Sequence, residues 1–261
     1  MGDYIKLFDT HAEYEAYTAD TQNFILPNVS TCKNQPNVVH YNPYVDPCAS
    51  EKVKTTYEFV DLELPSGVKW ANKNIGALTV TDYGQKFQWG DIQGFTHDQV
   101  SGSCKSKYFA WSDYKYISGA NTSNSAMTKY NNTDGLTALT SADDAAVANM
   151  GGSWVMPTQT HFNELLNTNN CTKAWTNDYQ GSGVKGYLFT SVRNNNTLFL
   201  PAAGNCYNGT VNNIGYYGYY WSASLDTSNV AQGGYLYLSS LECGRGNIYR
   251  RVGYSVRAVI C

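Results

Sequence analysis

Tyr235-Leu236-Tyr237-Leu238 alternates a large amphipathic ring with an aliphatic side chain. A β-strand turns successive side chains to opposite faces, so both tyrosines fall on one face and both leucines on the other. One face can pack while the other meets a partner. The neighbourhood extends this reading, because nine of the 22 tyrosines lie between residues 207 and 254. Asn, Ser, Gly, Thr and Arg surround them. This is the composition of adaptable binding surfaces, in which Tyr offers a large contact area at low entropy cost. The competing reading is that aromatic residues in short strands fill a core. It applies most strongly to Tyr220 and Trp221, which are left out of the expected site.

Working outward, further short strands are expected at 186–192, 197–200, 219–222 and 255–260. Upstream, Phe59-Val60-Asp61-Leu62-Glu63-Leu64 alternates as a half-buried strand, Pro65-Ser66-Gly67 makes a turn, and Val68-Lys69-Trp70-Ala71 returns antiparallel. Two helices interrupt the strands. Ser141-Ala142-Asp143-Asp144 places a hydroxyl cap and two carboxylates at a helix start, and Gly151-Gly152 ends that helix. The second follows Pro157-Thr158, with Phe162, Leu165 and Leu166 as its buried stripe. Two helices among many short strands and Gly/Asn-rich loops give an α+β domain over residues 59–261.

Residues 1–58 read as a small irregular module for attachment or packing. Thr10-His11-Ala12-Glu13 has capping-box spacing ahead of Tyr14 and Tyr17, and Val38-Val39-His40-Tyr41 reads as a strand among Pro36, Pro43 and Pro47. The chain has 15% charged residues and a formal net charge of -3. That balance supplies no broad basic field for nucleic-acid phosphates or an anionic membrane, so neither partner is expected. No segment approaches a membrane span, and the first residues lack the pattern of a secretory signal, although export after removal of a signal stays compatible with the sequence.

Several strings, in order, resemble a paralogous domain abundant in gut bacteria and their phages. They are Leu64-Pro65-Ser66-Gly67-Val68-Lys69-Trp70-Ala71, Phe87-x-Trp89-Gly90, Met150-Gly151-Gly152-x-Trp154 with Met156-Pro157-Thr158, Leu200-Pro201-Ala202-Ala203-Gly204, Gly218-x-Tyr220-Trp221-Ser222 and Gly253-x-Ser255-Val256-Arg257-x-Val259. That family resembles a branch of the C-type lectin fold, distantly related to formylglycine-generating enzymes. Some members are similar to the variable proteins of diversity-generating retroelements, in which adenine-directed mutagenesis rewrites residues near the carboxy terminus. The resemblance implies a fixed scaffold presenting a diversified surface. Arg257, as a scaffold position, is expected in a structural salt bridge.

Chemistry other than binding has weak support in the residues. Seven cysteines, at 32, 48, 104, 171, 206, 243 and 261, are an odd number with no Cys-x-x-Cys pair. Mostly reduced thiols are expected, with Cys206 and Cys243 as the pair to consider for a bridge. The oxidases related to this fold use closely spaced cysteines near the carboxy terminus, whereas the last three here are 37 and 18 residues apart. His161 and Cys171 lack an orienting third group, and His161 is expected on the exposed side of its helix. Gln35-Pro36-Asn37 resembles a calcium-lectin triplet but lies outside the lectin-like domain, and Asp143-Asp144 is better explained by capping than as a metal pair. No enzyme activity, metal or cofactor is expected.

The expected ligand site is Tyr207, Asn208, Thr210, Asn212, Tyr216, Tyr217, Tyr219, Tyr235, Tyr237, Ser239, Glu242, Arg245, Asn247 and Tyr249. Tyrosines anchor, and Glu242 and Arg245 set charge preference at the rim. The expected partner is a macromolecule, a protein or cell-surface receptor, met by a phage tail or a bacterial surface or secreted protein. The alternatives are an undiversified adhesive or structural protein whose tyrosines make a homo-oligomer contact and, third, a formylglycine-generating-type enzyme.

Overall fold

A computed structural model describes residues 57–98, 103–104, 107–119 and 126–260. The helix expected near Thr10–Tyr17, the strand at Val38–Tyr41, the Gln35-Pro36-Asn37 triplet and Cys32, Cys48 and Cys261 lie outside the described residues. The larger compact unit spans Thr55–Cys261.

In chain order the strands are β1 (Phe59–Val60), β2 (Lys69–Ala71), β3 (His97–Asp98) and β4 (Ser103–Cys104). Helix α1 (Ala145–Met150), β5 (Trp154–Val155) and helix α2 (Gln159–Leu166) follow. Next come β6 (Cys171–Thr176), β7 (Gly186–Ser191), β8 (Thr197–Pro201), β9 (Ala203–Tyr207) and β10 (Thr210–Ile214). The last are β11 (Tyr217–Leu225), β12 (Gln232–Ser239), β13 (Cys243–Tyr249) and β14 (Val259–Ile260). They form a four-stranded sheet in the order β1-β2-β14-β5, a three-stranded meander β6-β7-β8 and a seven-stranded sheet β13-β12-β11-β9-β10-β4-β3. The domain is α+β, with strands dominant.

The return of Lys69–Ala71 onto the opening strand is as expected, antiparallel with Phe59 opposite Ala71. The strand before it is shorter than expected. The ladder stops at Val60, and further on Glu63 takes a positive φ of 50°, although Leu62 and Leu64 are still buried. Of residues 255–260, expected as one strand, Ser255 makes a single parallel bridge to Tyr220 of β11 and Val259–Ile260 pair with β2 and β5, while 256–258 run between the sheets.

The α1 cap also differs from expectation. A 3₁₀ turn, Ser141–Asp143, precedes the helix, so the cap falls to Asp144, whose carboxylate accepts from the amides of Ala146 and Val147. The helix ends at Gly151, with φ 69°. Asp143 instead accepts hydrogen bonds from Lys115, Lys129, Tyr116 and Tyr130. Burial alone would push this carboxyl up; the four donors more than offset it and hold it well below the usual carboxylate range.

Helix α2 is capped by Thr158, whose hydroxyl accepts from the His161 amide while His161 Nδ1 accepts from the Thr158 amide. His161 is therefore half-buried and folded back on its own cap, not displayed on the open side of the helix. Phe162 and Leu165 are buried as the stripe predicts, and Phe162 stacks on Trp70 at 5.8 Å.

The seven-stranded sheet separates two cores. Leu236 and Leu238 face one, with Trp70, Phe162, Phe189 and Tyr220. Trp221 faces the other, with Trp89, Tyr130 and Tyr254. Reciprocal bonds tie that second core, from Trp221 Nε1 to the Phe87 carbonyl and from Trp89 Nε1 to the Ser222 carbonyl.

Two further expectations are corrected. Arg257 is fully buried but forms no salt bridge among the described residues; it donates to Asn74 Oδ1 and to the carbonyls of Ala71, Asn72 and Phe199. Four oxygens do the work of a carboxylate. Among the described residues a disulfide joins Cys104 and Cys206, with Cα atoms 6.1 Å apart, while Cys243 is a free, half-buried thiol. Cys243 cannot reach Cys206 because β12, β11 and then β9 follow it across the sheet.

Candidate functional site

All fourteen expected site residues lie on one sheet or its turns, along β9 to β13. The alternation in β12 holds. Leu236 and Leu238 are buried, while Tyr235 and Tyr237 turn to the other face and are half-buried. Cross-strand register sets Tyr219 opposite Tyr237 and Trp221 opposite Tyr235. On β13, Gly246 lies opposite Tyr235 and Gly244 opposite Tyr237. Their missing side chains leave room for the rings: a Cβ on Gly244 would stand 2.7 Å from Tyr237 Oη, and one on Gly246 3.1 Å from Tyr235 Cε1.

The rings form a continuous array. Tyr217 and Tyr219 stack at 5.7 Å, Tyr219 stacks on Tyr254 at 4.9 Å, Tyr254 meets Tyr235 at 5.2 Å, and Tyr235 meets Tyr237 at 6.1 Å. Exposure grades along it, from Trp221 at 0% and Tyr254 at 4% to Tyr217 at 38%. The inner rings thus belong to the core and the outer ones to the surface. Burial pushes the Tyr219 hydroxyl up to about 12, aided by Tyr217 and Tyr235 and opposed by a hydrogen bond from Asn213. Burial, then the charge of Glu242, raises Tyr237. Neither Tyr219 nor Tyr237 carries charge at neutral pH.

Beside this array Arg251 sits among three rings, 5.0 Å from Tyr207, 5.4 Å from Trp111 and 5.6 Å from Tyr249. The Trp111 turn is held by Asp113, which accepts from the amides of Tyr108, Phe109 and Ala110. Gln88 Nε2 ties that turn to the Arg251 backbone, donating to Asp113 Oδ1 and the Arg251 carbonyl. Sequence reasoning missed Trp111, Arg251 and Tyr254. It also missed the turn joining β9 to β10, where Asn208 (φ 47°) and Gly209 (φ 76°) adopt the paired left-handed conformations of a two-residue hairpin. The Asn-Gly dipeptide was the available signal.

Three expected site residues belong elsewhere. Ser239 is buried, its hydroxyl accepting from the amides of Leu241 and Glu242, so it shapes the β12–β13 turn rather than the surface. Arg245 and Asn247 are exposed, yet register puts them opposite Leu236 and Gly234, on the face away from the tyrosines. There Asn247 Oδ1 receives Gln159 Nε2 of α2. Glu242, by contrast, is exposed in the β12–β13 turn beside Tyr237. Tyr216, 69% exposed, occupies the turn before β11 with Lys185 over its ring. Asn208 and Thr210 are exposed and Asn212 half-buried on the β9–β10 hairpin.

The candidate reactive groups weighed from the sequence are held in structural contacts. The Cys171 thiol is buried and pushed up to about 11, and His161 Nδ1 is occupied by a backbone amide. Asp143 and Asp144 are committed to lysines, tyrosines and backbone amides. Among the described residues no group of three or more His, Cys, Asp or Glu side chains could hold a metal ion, and no helix is long and apolar enough to cross a membrane. Comparison with known proteins returns no matching family model, no matching curated protein and no matching solved structure.

Proposed function

We propose that this chain is a non-enzymatic binding protein that presents its outer tyrosines to a macromolecular ligand from a C-type-lectin-like scaffold. In this reading it is a variable protein of a diversity-generating retroelement, acting as a phage receptor-binding protein or a bacterial surface adhesin. The observation that carries the proposal is the graded ring array: inner rings are locked into the core, while Tyr217 and Tyr237 extend from it at the open end. Rigid aromatic anchors lose little entropy on binding, which is the physical basis of tyrosine-rich paratopes. A disulfide beside Tyr207 supports an extracytoplasmic setting, because such bonds persist in oxidising surroundings.

The genetic test is the neighbouring DNA. A near-copy of the segment encoding residues 205–254, differing almost only at adenines and adjoining a reverse transcriptase gene, is the expected finding. The biochemical test is light scattering on Tyr217→Ala and Tyr237→Ala. Unchanged mass is expected; conversion of an oligomer to monomers would transfer the face to self-association and overturn the proposal.

A further inference from the structure

We infer that Arg251 is an anion receptor within the tyrosine surface, built to take a carboxylate of a protein ligand; the inference rests on the binding role proposed above. Three rings enclose the guanidinium at 5.0 to 5.6 Å, so its faces are shielded from water. Tyr207 Oη accepts from Nη2 at 3.2 Å, and Nε is buried without a partner. Among the described residues no carboxylate pairs with Arg251, and Nη1 has no hydrogen-bond acceptor.

Arg250, next to Arg251, is buried, its Nη1 donating to the Lys129 carbonyl. Lys107 pairs with Asp91, and Asp113 is saturated by three backbone amides and Gln88. A cation with desolvated faces and an unpaired edge gains most from an incoming oxyanion, because the charge-assisted bond forms where water competes weakly. The fork is also held in place before binding. Tyr207 follows disulfide-bonded Cys206, and Gln88 fastens the Trp111 turn to the Arg251 backbone. Little side-chain freedom is left to lose on binding. The planar guanidinium edge suits a planar carboxylate, and tyrosines beside it suit a protein surface carrying Asp, Glu or a chain terminus.

The test reads arginine Nε resonances of the intact chain by NMR during titrations at constant ionic strength. The probes are sodium acetate, N-acetylglutamate amide, N-acetylneuraminic acid and sodium chloride. Exposed Arg193 and Arg245 serve as internal controls. We expect the Arg251 signal, assigned by its loss in Arg251→Gln, to saturate with acetate and the glutamyl amide at concentrations about tenfold lower than the controls, as one charge-assisted hydrogen bond allows. Tyr207→Phe should weaken that binding several-fold without changing the melting temperature by more than a degree or two, as expected of a half-buried hydroxyl.

Shifts at Arg251 no larger than those of Arg193 and Arg245, or equal shifts with chloride, overturn the inference. Tenfold tighter binding of N-acetylneuraminic acid than of the glutamyl amide also overturns it, in favour of an acidic glycan. These readouts are independent of the oligomer and DNA tests, so the anion site can fail while the wider binding role stands.

Discussion

Lys86 has no exposed surface, and its Nζ donates to the Ala203 carbonyl and the Ser255 hydroxyl instead of a carboxylate. Burial lowers its pKa from 10.5 to about 7. The unfolded chain therefore holds the proton more tightly, and stability rises with pH between about 7 and 10.5, by up to about 5 kcal/mol. Below that window the full cost of burying the charge is present. Above pH 10 the raised phenols of Tyr219, Tyr220 and Tyr254 act in the opposite sense, since the folded state keeps protons the unfolded chain releases. Urea midpoints should peak on the alkaline side of neutrality, and Lys86→Met should flatten the rise; an equal slope in the variant would refute the assignment. The aromatic array separates just as clearly. Tyr217→Ala and Tyr237→Ala should each cost about 1 kcal/mol or less, whereas Tyr254→Ala should cost about 3–5 kcal/mol by chemical denaturation. The period of two in Tyr235–Leu238 made the faces legible, but not how deeply each ring sits, because Tyr254 arrives from a segment outside the sheet.

The strands most easily read were those with alternating or aliphatic residues, such as β7, β8 and β12. β13 escaped notice because Cys243-Gly244-Arg245-Gly246-Asn247-Ile248-Tyr249 has neither β-branched density nor alternation until the rings lying over its glycines are known. Its missed register is also why Arg245 and Asn247 were placed on the wrong face. The glycines of β12 have an equivalent role. A Cβ on Gly233 would stand 2.5 Å from Trp89 Cδ1, and Trp89 is fully buried. Gly233→Ala should therefore cost about 1–3 kcal/mol, as overpacked cores do, and shift the urea midpoint without altering the slope. At the β9–β10 turn, Gly209→Ala should cost about 1 kcal/mol through its positive φ, more if Tyr108, which covers that glycine, cannot move. Thermal unfolding of the two glycine variants would show which strain dominates.

The α+β class and the position of α2 followed from Thr158 and the Phe162/Leu165 stripe, which are local features, whereas the start of α1 was displaced by the 3₁₀ turn before it. The joining of β14 to β2 and β5, and the Cys104 partner of Cys206, were not legible, because they link segments far apart whose register is decided by the packed cores. In the chain-entropy picture, a bridge of this span stabilises by roughly 4–5 kcal/mol. Reduction should lower the denaturation midpoint accordingly, and Cys104→Ser with Cys206→Ser should reproduce the loss; equal midpoints with and without reductant would show that the bridge contributes nothing. The cystine joins positions 102 residues apart. Any single protease cut between residues 105 and 205 consequently leaves two fragments that still travel as one species. A nicked sample should run as a single band on a denaturing gel without thiol and as two bands with it, the tyrosine-bearing fragment staying joined to the rest of the chain until the cystine is reduced.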